Sequence, residues 1–185
     1  MERPAEVLEH DGVRLRRWRR ADLDASLRTV AESLEHLKPW MAWAVDGYGV
    51  AEAAAYLDRC EAEWESGAAY NYAVLGPDAA LVGSCGLMAR IGPGGLEIGY
   101  WLHPRYTGQG IITRAAAALT AEAFRIGADR VEITHDVANE RSGAVPRRLG
   151  FTEVERRPAQ EALAPAQTGT MVVWRATAPW PPRSR

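Results

Sequence analysis

The stretch Arg105-Tyr106-Thr107-Gly108-Gln109-Gly110 sets two glycines two positions apart, and Ile111-Ile112-Thr113-Arg114 and a run of alanines follow at once. Gly108 and Gly110 carry no Cβ, so a ligand can approach the main chain and the local dihedrals can take values closed to other residues. From Ile111 the residues are strong helix formers, with Ile111, Ala115, Ala118, Leu119 and Ala123 spaced close to 3.6. The first turn of a helix leaves N–H groups unpaired, and its dipole adds about half a positive charge. Such a seat suits an anion, and a phosphate ester is the expected ligand. A glycine-rich turn between strand and helix is the plainer alternative, which the flanking sequence must decide. A nucleotide-hydrolase phosphate loop is excluded, because its Gly-Lys-Ser/Thr ending is missing.

Polar groups of other types lie elsewhere. Asn139 and Ser142 stand at i and i+3 on an expected short helix, so they can share a face. Pro146 cannot bond the carbonyl of Ser142 and disfavours helical dihedrals at Val145, so Ser142 is expected slightly off a regular helix. His103 and His135 invite attention as acid-base groups, but a structural place outweighs a catalytic one for each.

The elements that must hold these groups follow from periodicity. Residues 13–18 read as a strand, and Leu23, Leu27, Val30, Leu34 and Leu37 mark one face of a helix over 21–37. A second helix over 51–67 closes at Gly67. Strands in "YNYAVLG", "LVGSCGLMARI" and "LEIGYWL" make an antiparallel meander. The helix 111–126, a strand over 130–137, a short helix before Gly150, and strands near 151–157 and 170–176 complete the chain. The order βααβββαβαββ is an α/β fold with a mixed, mostly antiparallel central sheet and helices on both faces. One domain over 1–185 is expected, with a loose tail from about 178.

Composition narrows the function. A chain of 185 residues holds one domain with a real core. A net charge of -2 and a pI near 6.1 leave no footprint for nucleic acid. The arginines at 14, 16, 17, 19 and 20 are expected to mark a solvated strand edge. Cys60 and Cys85 have no metal-ligand spacing, so buried thiols in a reducing compartment are expected and no metal. "MERPAEVLEHDG" lacks an apolar signal core, and no run of about 18 apolar residues occurs. The expectation is a cytoplasmic protein with no membrane contact.

With that order in hand, the chain resembles the GNAT superfamily of acyl-CoA-dependent N-acetyltransferases, whose fingerprint of Arg or Gln, two residues, Gly, one residue, Gly or Ala is matched by Arg105 to Gly110. Within it, "LRRW" with "ADLD", "LKPWMAW", "EIGYWLHP", "AEAF", "NERSGAV" and "RRLGF" are similar to the RimJ/RimL-like branch that acetylates N-termini of ribosomal proteins. The resemblance implies acetyl-CoA as cosubstrate. Its pyrophosphate would lie on the N–H groups of roughly Tyr106 to Ile111, including Thr107, Gly108, Gln109 and Gly110. Arg105 would reach phosphate oxygens, and Arg114 would do so or stay at the helix surface. Leu102 would bond the pantetheine arm from a strand edge opened by a splay in the sheet. Asn139 would hold that arm, and Ser142 would donate to the departing sulfur, because Pro146 stands where many relatives carry a tyrosine. Asn139 has a plainer reading as a helix N-cap, and Ser142 as a first-turn polar residue. Trp40 and Trp43 resemble the loop that lines the acceptor groove, or cap the core.

Acetyl transfer to an amine requires the neutral amine. At pH 7 this costs about 1 kcal/mol for an α-amine of pKa near 8 and about 5 kcal/mol for a lysine near 10.4. A carboxylate acting through water is enough for the former. The resemblance offers Glu161, nineteen residues after Ser142, and Glu97, near a strand position used by other GNAT enzymes. "APAQTGTM" lacks the aspartate usual in this branch, so acceptor recognition is expected to differ. The acceptor is a protein N-terminus or a small amine such as an antibiotic. A non-catalytic acyl-CoA sensor is the reading from another class. A homodimer is left open.

Overall fold

Period-two alternation and 3.6-residue spacing resolve into eight strands and four α-helices among the described residues of the computed structural model, which are 1–76, 78–160 and 163–180. β1 (Val7–His10) and β2 (Val13–Arg17) form a hairpin. Its Asp11-Gly12 turn has φ of 45° and 78°, the double positive φ of a tight hairpin. A 3₁₀ turn leads into α1 (Leu23–Leu37), followed by α2 (Val50–Ser66), β3 (Ala69–Leu75), β4 (Leu81–Met88) and β5 (Gly95–Leu102). The chain continues as α3 (Ile111–Arg125), β6 (Arg130–Asp136), α4 (Glu140–Arg148), β7 (Thr152–Pro158) and β8 (Thr170–Thr177).

The order is ββααβββαβαββ, one strand more than the sequence suggested. Val7-Leu8-Glu9-His10 buries little and lacks alternation, so its only signal is the Asp-Gly turn. Its presence corrects a second expectation. β2 pairs with both β1 and β3 and is no edge. Arg16 makes two bonds of 2.9 Å to the Asp22 carboxylate. Arg17 bridges Glu6 and Glu65 while its guanidinium lies 4.9 Å from the centre of the Trp64 ring. The arginine cluster is therefore largely spent within the fold.

The sheet runs β1-β2-β3-β4-β5-β6-β8-β7, and every neighbour is antiparallel except β5 with β6. α3 covers one face and α1 and α2 the other. Leu96, Ile98, Val131 and Ile133 of the parallel pair bury their side chains with Ala115, Leu119 and Ala123 of α3, whose small residues let helix and sheet approach closely. The C-terminal stretch is not loose throughout: Trp180 packs edge-on against Phe151 and donates to the Leu149 carbonyl.

One feature of the register positions the site. β5 and β6 pair from Gly95↔Arg130 to Ile98↔Ile133 and then part. β4 keeps β5 as far as Leu102, while β8 keeps β6 as far as Asp136. Gly99 to Leu102 and Thr134 to Asp136 thus form the two sides of a wedge in mid-sheet.

Candidate active site

The wedge exposes main chain. His103 N–H donates to Val82 on the β4 side (2.8 Å), so strand alternation turns the main-chain groups of Tyr100 and Leu102 to the side that β6 has left. An extended amide-bearing chain can pair there as an added strand. This is the opening expected at Leu102.

Beyond β5, the His103 side chain organises the next turn. Its Nδ1 accepts from Arg105 N–H (3.2 Å) and its Nε2 faces Glu32 of α1 (3.1 Å). Thr107 Oγ1 donates to the Pro104 carbonyl, and the Gln109 amide donates to the Arg105 carbonyl. The loop is thereby tied by its own side chains, and its centre is left open. Gly108 and Gly110 have φ of 76° and 74°, a left-handed conformation that favours glycine. A Cβ on Gly108 would meet nothing within 4 Å, and Gly110 is the N-cap of α3. The Arg114 guanidinium lies over Gly110, and its buried Nε has no partner. An unpartnered guanidinium nitrogen over a glycine cradle at a helix N-terminus fits a pyrophosphate.

At the wedge, α4 presents Ser142. Asn139 is the N-cap, its Oδ1 accepting from Ser142 N–H (3.2 Å), which leaves the amide nitrogen outside that bond. The expected disturbance by Pro146 does not end the helix, which runs through it to Arg148. Tyr100 from β5 donates its hydroxyl to the Ser142 carbonyl (3.0 Å) and stands 3.2 Å from Ser142 Oγ. Burial pushes the Tyr100 phenol up to about 12, so it keeps its proton near neutrality.

A cleft of about 800 Å³ joins this point to the opposite face of the sheet. Trp40, Trp43, Tyr48, Glu97, Trp101 and Ser142 are among its walls. Trp43 is 45% exposed and lies 6.4 Å from Trp101 and 5.7 Å from Tyr48 between ring centres. Glu97 is buried, and its two oxygens accept from Arg90 at 2.8 and 3.1 Å. The carboxylate is thus held in place in the cleft wall. Glu161 lies outside the described residues.

The family model described as "Acetyltransferase (GNAT) domain" matches residues 13–152. The chain belongs to the GNAT acetyltransferases. It is 48% identical over 58 residues to the Bacillus subtilis (strain 168) protein named "Putative ribosomal N-acetyltransferase YdaF", a match spanning 31% of this chain and 32% of that protein's length. Among solved structures, the Mycobacterium smegmatis RimJ complex with a coenzyme A disulfide has a TM-score of 0.82 at 26% identity, over 96% of this chain and 88% of that one. RimL, described as the ribosomal L7/L12 α-N-protein acetyltransferase in complex with coenzyme A, has a TM-score of 0.83 at 24% identity, over 93% of this chain and 98% of that one. The microcin C7 self-immunity acetyltransferase MccE, solved with acetyl-CoA and AMP, has a TM-score of 0.82 at 18% identity, over 90% and 93%. The RimJ/RimL-like branch read from the motifs agrees with the YdaF and RimJ matches, within the GNAT acetyltransferase family that the domain match shows.

In this acetyltransferase both histidines are held by other groups. The buried His135 ring accepts from Trp174 Nε1 at its Nε2 (3.0 Å) and donates from Nδ1 to the Asp136 carbonyl (2.8 Å). Burial lowers its pKa, which keeps the ring neutral. Two contributors went unread in the sequence. Tyr100 was visible only through its complement, because a proline at 146 obliges some donor to serve the Ser142 carbonyl. Asp136 had no signal. Its carboxylate accepts from the N–H groups of Ala138, Thr168 and Gly169 and from the Thr168 hydroxyl, and so gathers the loop before β8. Ala166 of that loop donates to the Pro39 carbonyl beside Trp40 (2.9 Å), and Gln167 lines the cleft.

Proposed function

We propose that the enzyme moves an acetyl group from acetyl-CoA to a protein N-terminal α-amine by direct attack in a ternary complex. The observation that carries this is the cleft, which reaches Trp43 and Glu97 on one side of the sheet and Ser142 on the other through the gap between β5 and β6. The two substrates enter from opposite sides and meet where the main chain of β5 is open. Cosubstrate binding falls to the main chain of Tyr106 to Ile111, Arg105 and Arg114, to Leu102 for the pantetheine arm, and to the free amide nitrogen of Asn139. Trp40 and Trp43 wall the acceptor side.

The chain's own groups then divide the proton work. As the amine nitrogen bonds the carbonyl carbon, the amine proton leaves through water to a carboxylate, and the carbon–sulfur bond breaks toward the Ser142 hydroxyl, which donates to the sulfur. Two carboxylates fit the first role: Glu161 by the branch resemblance, and Glu97 by its place in the cleft, where Arg90 donates to both of its oxygens. An α-amine asks for only about 1 kcal/mol of deprotonation at pH 7, so a carboxylate one water away suffices. Similarity to YdaF over part of the chain and to RimJ favours a ribosomal-protein N-terminus.

An acceptor screen with acetyl-CoA, followed by thiol release, tests the proposal. Peptides beginning with Ala, Ser or Met should turn over at least tenfold faster than aminoglycosides or polyamines. Preference for a small amine would overturn the acceptor, and acetyl-CoA binding without turnover on any amine would point to a sensor.

A further inference from the structure

Helix α4 is continuous but lacks one of its hydrogen bonds in the turn that carries Ser142. A regular helix bonds each carbonyl to the N–H four residues on, and the N–H owed to Ser142 would come from residue 146, which is proline. Bonds on either side are intact: Gly143 N–H reaches the Asn139 carbonyl (3.1 Å) and Leu149 N–H the Val145 carbonyl (3.2 Å). The missing donor is replaced from another element. Tyr100, on the stretch of β5 that has left β6, donates its hydroxyl to that carbonyl at 3.0 Å. The same oxygen lies 3.2 Å from Ser142 Oγ.

We infer that Tyr100 is a positioning residue for Ser142, its hydroxyl standing in for the N–H that Pro146 lacks and so fixing the first turn of α4 at the wedge. Ser142 is then held at its N–H by Asn139, at its carbonyl by Tyr100, and at its hydroxyl by proximity to the same phenol. The arrangement couples the strand edge that receives the pantetheine arm to the group that meets its sulfur. Proton count agrees with a holding role. Tyr100 has one hydrogen, and while the carbonyl takes it, the Ser142 hydroxyl is the one with a proton to give. This rests on the role of Ser142 given above, so the test carries a readout that does not depend on that role.

The test is a cycle of Tyr100→Phe and Pro146→Ala, each variant checked for thermal unfolding. Tyr100→Phe should lower kcat about tenfold, which corresponds to about 1.4 kcal/mol, with KM for the acceptor little changed. Amide hydrogen exchange in the first turn of α4 should accelerate. Pro146→Ala alone should stay within about twofold of the parent. In the double variant, the alanine N–H can reach the Ser142 carbonyl, so both kcat and exchange protection should return most of the way. If the double variant stays as slow as Tyr100→Phe while its protection returns, Tyr100 is itself the proton donor and the positioning role is overturned. Parent-like kcat and exchange in Tyr100→Phe would also overturn it. Ser142→Ala, run in parallel, separates the two readings. If it leaves kcat unchanged while exchange in the cycle behaves as stated, the sulfur-side role of Ser142 fails and the anchoring by Tyr100 stands.

Discussion

The loop proposed to receive the pyrophosphate and the wedge proposed for acyl transfer are both small, yet they are built in opposite ways. The loop is one continuous stretch, Arg105 to Arg114, and what it offers a ligand is main chain bared at two left-handed glycines. The wedge brings Tyr100 of β5 to Ser142 of α4, so side chains from distant stretches join the open main chain of β5 there. A main-chain site fails when something blocks it. A side-chain site degrades group by group, and the cost depends on how much each group does.

The largest effect should come from blocking the loop. Gly108→Val puts a branched Cβ into the open centre of the cradle at a φ of 76°, so acetyl-CoA affinity should fall at least a hundredfold while unfolding shifts only slightly. Calorimetric titration reads this. Unchanged affinity would erase the contrast, because the loop would then not be a main-chain site. On the wedge side, Ser142→Ala should lower kcat by about ten- to a hundredfold with little change in KM for acetyl-CoA, as expected of a single hydrogen bond to a leaving thiolate whose parent thiol has pKa near 8.5.

The carboxylates come next. Replacing the acting base by glutamine should lower kcat/KM for the acceptor about tenfold, with partial recovery as pH rises from 6 to 9 and the amine loses its proton unaided. Glu161→Gln and Glu97→Gln run side by side identify the base, since only one should show the recovery. If neither does, the amine enters already neutral.

The smallest effect concerns the loop before β8. Burial would raise Asp136, but the N–H groups of Ala138, Thr168 and Gly169 and the Thr168 hydroxyl hold it below its ordinary value. A lowered folded-state pKa contributes stability above the unfolded value, near 3.9, and loses it as pH falls through the folded one. Asp136→Asn should therefore lower the melting temperature by about 2–8 °C at pH 7, for a loss on the order of 1–2 kcal/mol. That gap should shrink below pH 4. A gap independent of pH would mean that packing, and not charge, holds the loop.

How far each region was legible follows from its construction. The conformation of the glycine loop could be read because its glycines and the helix start are consecutive, and periodicity placed α3 behind it. Strands β2 to β8 and all four helices were readable from alternation and spacing. β1 was not, since a thinly buried strand carries no alternation and only the Asp11-Gly12 turn betrays it. The arginines near residue 16 looked solvated because their partners Asp22, Glu6 and Glu65 approach only after folding.

At Ser142 local pattern and tertiary structure part. The chain alone shows that residue 146 owes a hydrogen bond it cannot make, because proline has no N–H, and that glycine at 108 and 110 bares the backbone. Those are properties of residues and their immediate neighbours. That Tyr100 settles the debt from 42 residues away is decided by β5 parting from β6 after Ile98. The same parting opens the cleft and brings Glu97 and Ser142 to it. Sheet register and splay depend on the packing of helices on both faces at once, and no local stretch of sequence contains that information.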